Sequence, residues 1–93
     1  MKLGDLCEVK INFPDADFWI QRRGTPENVG RVKTEFNKED IGIKVKDTTV
    51  LLPRFLQYAM MNIYNKGYYR DKMQGMTALQ HIRSSDIKEI PVG

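Results

Sequence analysis

Hydrophobic and polar residues alternate from Cys7 to Phe13, with Cys7, Val9, Ile11 and Phe13 on one side and Glu8, Lys10 and Asn12 on the other. A period of two predicts a half-buried strand. Pro14 and the acidic residues Asp15 and Asp17 predict a turn. Phe18, Ile20 and Arg22 then alternate with Trp19, Gln21 and Arg23, which sets Trp19 beside two polar groups. Gly24 to Asn28 is a cluster of turn-forming residues. Beyond it Val32, Thr34 and Phe36 oppose Arg31, Lys33 and Glu35 in a weaker alternation. After a turn over Asn37 to Asp40, Ile41, Ile43 and Val45 oppose Gly42, Lys44 and Lys46 in the cleanest alternation of the chain. Four short strands therefore precede any helix.

The period changes at Pro53, whose fixed φ suits a first helical position. Leu52, Phe55, Leu56, Ala59, Met60 and Ile63 recur at three- and four-residue spacing as a core-facing stripe, and Lys66 and Gly67 supply the charge and the stop. Met60 and Met61 read as packing residues. Tyr68 to Met73 continue for a further turn or two ending at Gly75, presenting Tyr69, Arg70 and Lys72. Thr77 to Ile82 has no helical period; Leu79 and Ile82 anchor it while Gln80, His81 and Arg83 project. Ser85 or Asp86 caps a short helix running to Ile90, with Glu89 reaching back to Asp86, and Pro91 ends it. No internal repeat, low-complexity tract or linker is expected. The fold predicted is α+β: a small twisted, mainly antiparallel sheet packed on one principal helix, with a short C-terminal helix, in a single domain over 1–93.

Composition narrows the function. At 93 residues one core is expected. Apolar runs are too short for a membrane span, and the first residues lack the unbroken apolar segment of a signal peptide, so the chain is expected in the cytoplasm. Cys7 is the single cysteine and His81 the single histidine, too few for an internal disulfide or a structural zinc site. Neither a phosphate-binding glycine loop nor a cluster with metal-ligand spacing is present. Ser84 and Ser85 beside His81 are better explained as helix-start residues than as a hydrolytic pair. The GIY-YIG nuclease pattern fails because the tyrosines sit on or after the helix. An enzyme, a cofactor and a metal are therefore not expected.

The net charge is +3. Residues 1–50 hold nine basic and nine acidic side chains, and residues 51–93 hold six and three, so the excess lies in the second half. Alignment of the strands gathers Lys10, Gln21, Arg23, Arg31, Lys33, Lys44 and Lys46 on their polar sides. This is either a basic face or the ordinary solvated face of an antiparallel sheet. Tyr69, Arg70 and Lys72 equally suit a phosphate backbone or a helix that covers the core edge. Gln21, Arg22, Arg23 and Thr25 adjoin Gly24, and Gln74, Thr77, Gln80, His81 and Arg83 flank Gly75. Glycine turns let the backbone approach a groove, and Arg and Gln make two-point contacts to guanine and adenine edges. These are the candidate base readers, with Lys44, Arg70 and Lys72 joining Arg23 as phosphate contacts.

Several motifs follow one another over nearly the whole chain. Lys2-Leu3-Gly4-Asp5 comes first, then Phe18 to Gly24 leading into Gly24-Thr25-Pro26, then Leu52, Pro53, Phe55, Leu56 and Tyr58 at the helix start. Gly75-Met76-Thr77 through Ile82 to Ser85-Asp86-Ile87 and Ile90-Pro91 closes the series. In that order they resemble the target-recognition domain of type I restriction-modification specificity subunits. The resemblance implies a non-catalytic domain that recognises double-stranded DNA. The other function it implies is an interaction protein that mimics a specificity subunit and modulates a methyltransferase or restriction complex. Double-stranded DNA, a methyltransferase or restriction subunit and a second copy of the chain are the candidate partners. Full specificity subunits carry two longer domains joined by long helices, so the resemblance is to a reduced, free-standing single domain. The Asn-Pro-Pro-Tyr/Phe motif of their adenine-methylating partners does not occur here.

Overall fold

In a computed structural model, residues 1–25, 27–69 and 80–92 are described. The elements in chain order are α1 (Leu3–Leu6), β1 (Cys7–Ile11), β2 (Phe18–Ile20), β3 (Arg23–Gly24), β4 (Val32–Lys33), β5 (Ile41–Val45), α2 (Pro53–Asn65), β6 (Gln80–His81) and α3 (Ser84–Lys88). The fold is α+β, as the alternation predicts. Four strands form an antiparallel sheet in the order β1-β5-β2-β4, and β3 pairs with β6 in a second, two-stranded sheet.

The cleanest alternation became the central strand. On β5, Ile41 and Ile43 are fully buried, opposite Ile11 and Val9 of β1 and opposite Ile20 and Phe18 of β2. Leu56 and Met60 of α2 join the same core, as do Ile87 of α3, Ile82 and Ile90. Met1 to Leu3 lies antiparallel to the segment after α3, with Leu3 N–H donating to Ile90 O at 2.8 Å and Val92 N–H to Met1 O at 2.8 Å. Pro91, which has no N–H, sits in that bridge.

The outer face of the sheet is not uniformly basic. Asn12 takes φ 57°, which ends the alternation and swings Phe13 onto the face opposite Val9, contrary to the period-two expectation. A Cβ on Gly42 would lie 2.7 Å from Phe13 Cβ and 2.9 Å from Ala16 Cβ, so glycine is required where this turn crosses the sheet. Trp19, opposite Gly42, is buried there; its Nε1–H donates to Phe13 O at 3.0 Å and its ring meets Phe36 edge-on at 6.1 Å. Expected strand residues Thr34 and Phe36 fall outside β4 and are exposed.

Pro53 stands at the first position of α2. The helix ends where Lys66 and Gly67 predict. Gly67 has φ 77°, its N–H donates to Tyr64 O, and Tyr68 N–H donates to Ile63 O, closing the left-handed C-terminal turn. The helix stripe is narrower than its spacing predicts, because Leu52 and Phe55 are exposed and only Leu56 and Met60 are buried. Val50 and Leu52 just before α2, with Phe55 and Tyr58 on it, leave exposed apolar side chains at this helix.

The short C-terminal helix begins two to three residues earlier than expected. Arg83 is its N-cap, and Asp86 reaches back to accept the Arg83 N–H at 2.8 Å. Asp86 is thus the third residue of the helix rather than its cap. Asp5 does the same for α1, accepting Lys2 N–H at 2.9 Å. The two starts share the pattern Asp, aliphatic, any residue, Glu, aliphatic, at Asp5–Val9 and Asp86–Ile90. This short internal echo is one that periodicity did not reveal.

Candidate nucleic-acid interface

The pairing of β3 with β6 joins the two polar groups that sequence reading set on separate glycine turns. Arg23 lies opposite His81, Gly24 lies opposite Gln80, and Ile82 N–H donates to Arg22 O at 2.9 Å. Ile82 is buried and locks β6 to the core, while Arg23, His81 and Arg83 are exposed. Arg22, Arg23, His81 and Arg83 therefore collect at one end of the molecule.

The chain beyond Gly24 is built to hold this end in place. Thr25 accepts from Asn28 through both its hydroxyl, at 2.9 Å, and its carbonyl, at 2.9 Å. Gly30 N–H donates to Gln21 O at 2.9 Å, and Gln21 N–H donates to Arg31 O at 2.9 Å. The end of α2 and the residues after it clamp the loop: Tyr64 Oη–H donates to Glu27 O, and the buried Tyr69 ring packs against Gly30. Gly30 has φ 92°, and a Cβ there would collide with the Tyr69 ring. Burial pushes the Tyr69 hydroxyl well above its usual range.

Gln21 and Arg22 are partly committed to the scaffold. Gln21 Nε2 donates to Arg23 O at 3.0 Å and covers Gly24, where an added Cβ would be 2.7 Å from it. Arg22 Nε donates to Glu39 O at 2.8 Å. Arg23 extends to the carboxylate of the same residue, Nη2 to Oε1 at 2.5 Å. That hydrogen bond, reinforced by the guanidinium charge, holds the Glu39 carboxyl below its usual range and raises Arg23 in turn. Next to it Asp40 is buried, with Oδ2 3.1 Å from Lys33 Nζ, an ion pair without hydrogen-bond alignment. Asp40 Oδ1 lies 3.5 Å from Arg22 N.

The sequence places Glu39 and Asp40 in a turn and gives them no role at the site. The signal is the acidic pair Glu39-Asp40 just before the strand at Ile41 and the arginine pair Arg22-Arg23 just after Ile20, which the Ile20–Ile41 pairing brings together.

Lys44 belongs to another surface. It lies at the far end of β5 from Asp40, opposite Glu8, with Nζ 3.4 Å from Asp15 O. Arg70, Lys72, Gln74 and Thr77 lie outside the described residues, and of Gln80 only the backbone is described. Among the described residues no helix is long and apolar enough to cross a membrane, and no three His, Cys, Asp or Glu side chains are grouped to hold a metal.

Neither a protein-family model nor a curated protein sequence matches the chain. A solved structure does, the type I restriction-modification system S subunit from M. genitalium, with a TM-score of 0.71 at 17% identity. The chain has the fold of part of a type I specificity subunit. The match takes in 97% of this chain and 32% of that subunit, so this chain spans about a third of the protein it resembles. At this identity the likeness establishes the fold, and it agrees with the order of motifs from Lys2-Leu3-Gly4-Asp5 to Ile90-Pro91.

Proposed function

We propose that this chain is a non-catalytic domain that recognises double-stranded DNA, working in the cytoplasm and without a cofactor. The observation that carries the reading is the β3–β6 pairing, which sets Arg23 against His81 between Arg22 and Arg83. Guanidinium groups on a rigid backbone suit both phosphate oxygens and guanine edges. Arg23, Arg70 and Lys72 fix the domain to phosphates, whereas Lys44, on another surface, stands outside that set. Arg83, His81, Gln80, Gln74, Thr77 and Arg22 read bases, with Gln21 and Thr25 holding the Gly24 turn. The specificity-subunit fold supports the same reading.

Gel-shift titration of a random duplex over a salt series tests it. Affinity is expected to fall steeply with salt, and each single neutralisation of a phosphate contact to reduce the logarithmic slope by about one unit. Absence of binding at low salt would overturn the reading. That result would favour the second one, a protein that occupies a specificity-subunit position on a methyltransferase or restriction complex. The exposed Val50, Leu52, Phe55 and Tyr58 favour such a contact. Co-purification with that partner in the absence of DNA tells the two apart.

A further inference from the structure

Arg23 already holds a carboxylate where a nucleic-acid phosphate would bind. We infer that Glu39 is an internal phosphate surrogate: its carboxylate occupies Arg23 in the free chain and is displaced when DNA binds, so Glu39 sets the affinity. The inference rests on the DNA-binding reading. Three features carry it.

First, the contact has the chemistry of the one it is exchanged for. A guanidinium recognises carboxylate and phosphate oxygens with the same planar donors, and Arg23 Nη2 meets Glu39 Oε1 at 2.5 Å. Second, the pair is displaceable. Both side chains are about half exposed, at 55% and 51%, and exposed pairs of this kind are weak. Third, the carboxylate is not needed to build the site. The turn that carries it is closed by backbone and neighbouring groups: Glu39 N–H donates to Asn37 Oδ1 at 2.9 Å and Asp40 N–H to Asn37 O at 3.1 Å. Arg22 is held by the Glu39 carbonyl at 2.8 Å, a bond that a change of side chain leaves in place. The adjacent Asp40 is buried and serves the scaffold, so the two neighbouring acids have divided roles.

A guanidinium that neutralises a phosphate releases the cations condensed there, whereas a Glu39 carboxylate displaced beside the duplex takes up a cation in turn and lowers the net release. Glu39→Gln keeps the shape and removes the charge. It is expected to tighten binding to a random duplex by about three- to tenfold and to steepen the salt slope by close to one unit. In an Arg23→Gln background the same change is expected to have little effect, since the group it competes for is gone.

The experiment measures wild type, Glu39→Gln, Arg23→Gln and the double variant on one duplex across a salt series, with thermal melts to verify folding. Equal affinity of wild type and Glu39→Gln overturns the inference. So does an equal gain in the Arg23→Gln background, which would mean a general charge effect. Failure of all four proteins at the lowest salt removes the DNA-binding reading itself, and the inference with it.

Discussion

Arg23 and His81 face each other as antiparallel partners across β3 and β6, although they come from opposite ends of the chain. Directly opposed residues share one face of a two-stranded sheet, with Cβ atoms about 4.5 to 5.5 Å apart. A single bound group can therefore touch both side chains.

That proximity predicts energetic coupling. In DNA binding, a cycle of Arg23→Ala and His81→Ala should show an interaction energy of about 0.5 kcal/mol or more. Arg23→Ala with Lys44→Ala should be additive within about 0.5 kcal/mol, because Lys44 lies on another surface. Two additive cycles would separate His81 from the site.

Base reading and phosphate contact fail differently. Arg83→Ala should cost roughly 1 to 3 kcal/mol on a preferred duplex and flatten selectivity, while Lys72→Ala should weaken all sequences alike. Selection from a randomised duplex pool with wild type and Arg83→Ala measures this. Identical preferences would remove Arg83 from the reading set.

The sequence was most legible where one physical signal dominated. Ile41, Ile43 and Val45 alternate without interruption and became the central strand; Pro53 and Gly67 bound α2 as their φ preferences dictate. Where two signals competed, periodicity lost. Phe13 fits the β1 alternation, yet Asn12 in the left-handed region turned it to the other face, where Gly42 leaves space. Leu52 and Phe55 fit the helical stripe, but the sheet covers only the face of Leu56 and Met60. Residues of the candidate site could be named one group at a time. Their assembly depends on the β3–β6 pairing, a long-range register that two-residue strands do not encode in any local pattern.

Gly30 is the tightest point of the clamp behind the site. Its φ of 92° and the Tyr69 ring, which an added Cβ would strike, leave a side chain no room. Gly30→Ala combines backbone strain with overpacking and should destabilise by about 2 to 4 kcal/mol. Urea unfolding measures it, and a loss under about 0.5 kcal/mol would mean that the loop yields easily.

The two faces of α2 should respond unequally. Leu56→Ala opens a cavity beneath the helix and should cost about 2 to 5 kcal/mol, whereas Phe55→Ala removes an exposed ring and should change stability by about 0.5 kcal/mol or less. Equal losses in denaturant midpoint would place Phe55 in the core instead.

Cys7 gives the protein a stability that depends on alkaline pH. The thiol is buried at the start of β1, opposite Val45; burial, and then the Asp17 charge, push it from 9.0 up to about 11, while Lys46 opposes the shift. In the unfolded chain the thiol loses its proton near 9.0, but in the folded chain it keeps it to about 11. Between those values the unfolded state binds fewer protons, so stability falls as pH rises, by at most about 1.4 kcal/mol per pH unit. Below that window the thiol contributes no slope, and above it the loss levels off. Tyrosines and lysines also titrate there, so the difference between wild type and Cys7→Ala isolates the thiol. Urea unfolding of both at about pH 8 and about pH 10.5 should show the stability advantage of wild type shrinking at the higher pH. An unchanged difference would mean that Cys7 ionises alike in the folded and unfolded chains.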